Sequence, residues 1–292
     1  MTPDGALILC RFLFDGAAIC LWGASAYLWA LVPGELARHI DDRLGPWRLG
    51  AILLVVTTTA ALLPLRAATI GEGWTDALAP AMLHAVLYDT DVGKAWIAQA
   101  GAVVLLVAAA ALPSQRRQGA LTFCSGLLLV TLTISGHAAM NDGWLRTLHR
   151  INDGIHLLSG GAWLGALGPV LLVLRMLHSP RWHTAARIAL VRFSTAGHAA
   201  VALVILSGIL NTALIIRAVP SDWAFTYQLL LSVKILLVSA MVALAVVNRY
   251  VFVPRLGTVR SLAALKSGTT AEICLGLAVV GLVAWFGNLQ PT

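Results

Sequence analysis

Charge is what this chain of 292 residues has least of. Asp, Glu, Lys and Arg together make up 11% of it, hydrophobic residues make up 59%, and the mean hydropathy is +0.84. That balance excludes an ordinary water-soluble globular domain. Cysteine is scarce as well. Cys10, Cys20, Cys124 and Cys274 all lie in apolar runs and form no CxxC pair, which excludes a disulfide framework and a clustered thiolate metal site. Each reads as a small buried apolar residue. There is no Walker A loop and no phosphorylated-Asp motif, so ATP is not a direct energy source. Neither a Pro/Ser-rich linker, a low-complexity tract nor an internal repeat divides the sequence. It reads as one domain, 1–292, in which 1–120 carries three spans with an outer connection at 66–94, and 121–292 carries five more.

What is present is a series of apolar runs. A bilayer core needs about 20 apolar residues per helical span. Eight segments satisfy this: 7–32, 49–68, 95–112, 121–138, 154–177, 188–216, 227–248 and 268–288. Lipid offers no partner for backbone polar groups, so these runs are helical and the fold class is an all-α polytopic membrane bundle. Ala24-Ser25-Ala26 has the look of a signal-peptidase site. However, Arg11 and Asp15 interrupt the apolar region and no basic segment precedes it, so the first run reads as a retained helix.

Basic residues fall unevenly between the connections. Counted together with the adjoining span ends at Arg66, Arg175 and Arg192, those after spans one, three, five and seven hold thirteen Lys and Arg, and those after spans two, four and six hold five. Positive charge is retained in the cytoplasm, so both termini are expected outside, in the periplasm of a Gram-negative cell. The net charge of +7 follows from this asymmetry and from contact with anionic lipid; it calls for no nucleic-acid partner.

Polar side chains inside spans are costly, on the order of 2.5–3.5 kcal/mol for a charge at a helix centre, so they face the interior. In span one Asp4, Arg11, Asp15 and Trp22 share a face, with Arg11 and Asp15 spaced for a structural ion pair. Span seven carries Tyr227, Lys234, Met241 and Asn248 at strict seven-residue spacing. Lys234 either pairs with a carboxylate to hold helices together or lines a path, and Glu272 in span eight has the same alternatives. His198 lies near the middle of span six and Asn211 nearer its outer end on a nearly opposite face; Ser194, Ser207 and Asn211 read as interhelical hydrogen-bond formers.

The richest region is the outer hairpin between spans four and five. "SGHAAM" at 135–140 brings His137 and Met140 to the outer mouth, while His149, Asp153 and His156 share a face of the returning helix. Imidazole and thioether are copper-type donors, and a nearby carboxylate fixes the tautomer of a ligating His. Met82 and His84 in the preceding outer connection are placed to join them. His149 is expected at the interface, and His39, His178 and His183 as ordinary surface residues. A buried histidine that merely bonds a carbonyl is the alternative for His137 and His156.

Several stretches resemble the bacterial copper resistance D family, CopD or PcoD: "SGHA" at 135–138, "DGIHLLSGGAWLGAL" at 153–167, "RFSTAGH" at 192–198 followed by "LSGILNT" at 206–212, "LLLSVKILLVSAMVALAVVNRYVFVPRL" at 229–256, and Glu272. The resemblance covers most of the chain and is strongest from span four onward. It implies an inner-membrane protein of copper homeostasis, not an enzyme, that moves copper across the membrane, commonly beside a small periplasmic CopC-like copper-binding protein. Carried over as matched positions are His137, His156, Trp163, Asn211, Lys234, Asn248 and Glu272, with the two histidines as copper contacts. The chain holds only five Met and no Met-rich outer segment.

The expected function is therefore copper transport, with the ion received at the outer hairpin and His198, Asn211, Lys234, Met241 and Glu272 along or gating its route. Two alternatives stand beside it. One is a b-type haem protein for electron transfer, with His137 and either His156 or His198 as axial ligands. The other is a partner that binds copper without transporting it.

Overall fold

A computed structural model describes residues 1–136, 142–216, 219–253, 259–287 and 289. Nine α-helices and no strands occur among them: α1 Pro3–Ala30, α2 Gly34–Ile70, α3 Pro80–Asp89, α4 Asp91–Ala110, α5 Ser114–Thr131, α6 Gly143–Met176, α7 His183–Ile216, α8 Thr226–Val247 and α9 Val259–Phe286. All except α3 are long and apolar enough to cross a membrane, which bears out the eight expected spans. Successive crossings alternate in direction. One face of the bundle therefore carries the N-terminus, α3 and the start of α6, and is called here the N-terminal face.

Helix boundaries differ from the sequence expectation in two informative places. The second helix starts at Gly34 and takes in the polar stretch up to Arg48, because Asp41 is satisfied there. Its carboxylate accepts from Arg117 Nη2 of α5 at 2.6 Å and pairs with Arg48 on its own helix. Arg117, one of the basic residues counted in the connections, thus ties two helices together. Likewise α6 starts at Gly143, well ahead of the expected 154, so His149 lies on its second turn. This corrects the interfacial placement of His149, which is only 1% exposed. His156 is 13 residues from the helix start, about 20 Å along the axis at 1.5 Å per residue, so it is deep in the wall and not at a mouth.

The packing hub is α1, which touches α2, α5, α6 and α9. Its contact with α6 is set by glycine. A Cβ on Gly23 would strike the backbone of Gly161 and Gly165, and one on Gly165 would strike the carbonyl of Ile19. The Gly161-x-x-x-Gly165 spacing is the small-residue pattern by which membrane helices approach closely. Beside it Trp22 wedges against Gly126 and Gly161 and donates Nε1–H to the Leu158 carbonyl at 2.8 Å. By contrast α7 packs mainly on α6, and α8 mainly on α9. Their outer surfaces expose Leu203, Leu206 and Ile209, and Ile235 and Leu236, which suits contact with acyl chains.

Adding a methyl group at the α1–α6 crossing tests this account. Gly165→Ala is expected to cost about 1–3 kcal/mol because backbone, not a mobile side chain, must move. Gly168→Ala, where a Cβ would meet nothing, is expected to be neutral or stabilising by about 0.5–1 kcal/mol. Thermal unfolding of the two variants in the same detergent checks the contrast.

Candidate functional site: two cavities meeting at Trp163

Two cavities border the α6–α7 and α8–α9 pairs, the first of them walled also by α1, α2 and α4. The first, about 700 Å³, runs from Asp4, Arg66 and Ser135 at the N-terminal face down to Trp163 and Met241. A second, about 970 Å³, runs from His178, His183 and Arg187 at the opposite face up to Trp163 and Glu272. Between them Trp163, Leu167 and Met241 form a small buried apolar cluster. Trp163 lines both cavities, so a partition one side chain thick separates them.

The polar residues of the first cavity are held by a chain of interhelical hydrogen bonds. Asn152 Nδ2 donates to the Ser207 carbonyl at 2.9 Å and to Asn211 Oδ1 at 2.7 Å, and Asn211 Nδ2 donates to Asp153 Oδ1 at 3.1 Å. His156 lies over Gly208 with its Nδ1 2.9 Å from Ser207 Oγ. With the Ser207 hydroxyl hydrogen assigned to the Leu203 carbonyl, Ser207 Oγ accepts and the tautomer assigned to His156 carries its proton on Nδ1. That tautomer leaves a lone pair on Nε2. An imidazole oriented in this way by a neighbouring oxygen is the arrangement seen in ligating histidines.

Across the cavity Lys234 of α8 supplies the cationic field at both Asp153 and His156, without a salt bridge to the carboxylate, and its Nζ sits 6.0 Å from the Phe286 ring centroid. Arg11, Asp15 and Arg66 line the same cavity, with Arg11 the charge acting on Asp15 one helical turn away. The seven-residue stripe of α8 thus divides: Tyr227 and Lys234 face the first cavity, Met241 sits at the partition, and Asn248 faces the second.

In the second cavity Glu272, 3% exposed, accepts from Asn248 Nδ2 at 2.6 Å, and the Trp163 indole lies near the same carboxylate. His198 is separate, with Nδ1 2.7 Å from the Ser194 carbonyl and Nε2 3.1 Å from the Tyr250 hydroxyl. His156 and His198 therefore line different cavities. Met82 and His84 lie on α3, with Met82 close to Gly71 and His84 tilted against Tyr88 at 4.8 Å; neither lines the first cavity. His137 and Met140 lie outside the described residues. Among the described residues no three His, Cys, Asp or Glu side chains converge as a preformed metal centre. Asp153 and His156 form an open, incomplete donor set.

Sequence reasoning did not find Asn152, Gly208, Tyr250 or the proximity of Trp163 to Glu272, and it placed His149 at the wrong depth. Asn152 adjoins Asp153 and was hidden by that carboxylate. Trp163 was legible as a position matched to the family, but nothing in the sequence placed it between two cavities.

These features define a multi-pass helical membrane protein with polar side chains lining its interior. Comparison with known proteins places it further. The family description "Copper resistance protein D-like, N-terminal domain" matches residues 1–147, and "Copper resistance protein D" matches residues 187–286. The chain is 32% identical to Inner membrane protein YebZ of Escherichia coli (strain K12), over 97% of this chain and 98% of that one. It is 30% identical to Copper resistance protein D of Pseudomonas syringae pv. tomato, over 82% of this chain and 80% of that one. Copper transport protein CutJ of Bacillus subtilis (strain 168) is also 30% identical, over 82% of this chain and 44% of the relative. The chain belongs to the copper resistance protein D family. In fold it is similar to a chain of the bd oxidase from Geobacillus thermodenitrificans, with a TM-score of 0.51 and 10% identity over all of this chain and 88% of that one. At that identity the likeness is one of fold alone.

The Asn152 bridge generates a stability prediction. Asn152→Leu removes two interhelical hydrogen bonds and is expected to cost about 1–2 kcal/mol. Amide exchange of α7 around Ser207 should rise in the variant, which mass spectrometry on the detergent-solubilised protein can follow.

Proposed function

We propose that the chain carries copper ions across the cytoplasmic membrane, with copper as its cargo. The observation that supports this best is the pair of opposed cavities meeting at Trp163, because two chambers with a thin partition are what alternating exposure of a cargo site requires. In this reading the N-terminal face is periplasmic, as the distribution of basic residues favours. The first cavity receives the ion at His156 Nε2 and the Asp153 carboxylate, with His137 and Met140 completing capture from the mouth. Met241 offers a thioether at the partition. Lys234 repels a second cation and holds Asp153 in its field, so the site takes one ion at a time. An incomplete donor set favours release, which a carrier needs as much as capture. Copper resistance and transport names among the relatives support the cargo. A periplasmic CopC-like protein is the expected donor.

Purified protein in sealed liposomes tests the proposal. Copper is expected to enter with the wild type. His156→Ala, His137→Ala and Asp153→Asn should each slow entry by about tenfold or more, and Ser207→Ala, which disturbs only the tautomer of His156, should weaken copper affinity by about tenfold. Copper that binds without crossing the bilayer would reject transport, and unchanged entry in His156→Ala and Asp153→Asn together would reject the site.

A further inference from the structure

Glu272 is a buried carboxylate whose hydrogen-bond partner among the described residues, Asn248, is neutral, as is the Trp163 indole near it. The titratable and charged groups lining its cavity are His178, His183, Arg187, His198, Arg249 and Tyr250, and none of them forms a salt bridge with it. From α1 the charged side chains Asp4, Arg11 and Asp15 line the other cavity, and Lys266 of α9 lies six residues away on a different side of the helix. A second observation sits beside the carboxylate. Asn248 is 7% exposed, and its Oδ1 has no hydrogen-bond partner among the described residues. This oxygen packs over Gly268, where any Cβ would collide with it, so the backbone of α9 is cleared of side chain at that point. Asn248 also opens a π-type turn, Asn248–Phe252, an irregularity that membrane and soluble helices reserve largely for functional positions.

A buried carboxylate and a buried amide oxygen without a donor leave acceptor capacity and negative charge that only a cation can satisfy. Both donors are oxygen, which selects hard cations and disfavours copper, whose donors are imidazole and sulfur. One carboxylate compensates one charge; a divalent ion would leave the apolar surroundings with a net charge.

We propose that Glu272 and Asn248 form a site for a small hard monovalent cation, a proton or a sodium ion, reached from the face opposite the N-terminus. As a proton it is held covalently on the Glu272 carboxyl, and the Asn248 amide turns over so that its oxygen, now facing Glu272, accepts from that O–H. As sodium it takes the carboxylate and amide oxygens directly. Either occupant changes the charge beside the Trp163 indole and so biases the partition that faces both cavities. This last step rests on the transport reading given above; the binding does not. It assigns the energy source of the carrier to the gradient of that cation.

Full-length protein in nanodiscs without copper provides the test, read in two ways on wild type, Glu272→Gln and Glu272→Asp. Saturable binding of radioactive sodium that is lost in Glu272→Gln and kept in Glu272→Asp identifies sodium. A protonated-carboxyl infrared band that appears and disappears with pH in the wild type, and is absent from Glu272→Gln, identifies the proton. Neither signal in wild-type protein of uniform size overturns the proposal, whatever copper does. Conversely, a Glu272 site that fills in protein unable to move copper leaves this inference standing and rejects the transport reading.

Discussion

The contact between Gly23 on α1 and the Gly161–Gly165 pair on α6 is the constraint on which the arrangement rests. Lipid tails are as apolar as leucine, so burying hydrocarbon gives membrane helices little reason to associate. Close backbone approach does, through dispersion and shape. At this crossing three glycines let two helices touch backbone to backbone, and Trp22 fixes the angle by filling the notch against Gly126 and Gly161. The N-terminal half, α1 to α5, and the polar helix α6 become one rigid body through it.

The other helices are held more lightly, and that difference shapes the cavities. With α7 leaning on α6 and α8 on α9, the space between the two pairs is filled incompletely, and polar side chains occupy its edges. Hydrogen bonds from Asn152 and Asn211 hold α7 in register on one side; Asn248 to Glu272 does the same for α8 and α9 on the other. The same residues that fix helix position therefore present the cavity with its donors and acceptors. In a membrane this economy is natural, because a polar group that bonds across helices is already turned away from lipid.

Much of this was legible in the sequence, for identifiable reasons. Eight spans follow from hydropathy because a bilayer imposes a length. The stripe Tyr227, Lys234, Met241 and Asn248 is visible because seven residues return almost to the same helical face, and the structure does turn it inward. What periodicity cannot give is depth and partner. His149 looked interfacial because the start of α6 was placed at the first strongly apolar residue, whereas a helix can begin in polar sequence once its polar groups find partners. Arg117 looked like a topological charge because Asp41 lies 76 residues away. The two family descriptions stop at 147 and resume at 187, so α6 with Asn152, Asp153 and His156 falls between them. Spacing and resemblance picked out its Asp153 and His156, whereas Asn152 came only from geometry.

A partition one side chain thick also has an electrical consequence. Where electrolyte fills both cavities, the two bulk solutions reach almost to each other, and the membrane potential falls across the short apolar gap at Trp163 instead of across the whole hydrocarbon layer. An elementary charge stepping past that indole then does work of about 2.3 kcal/mol per 100 mV within a few bond lengths. Voltage, felt only weakly along a long uniform pore, is concentrated here into a single movement.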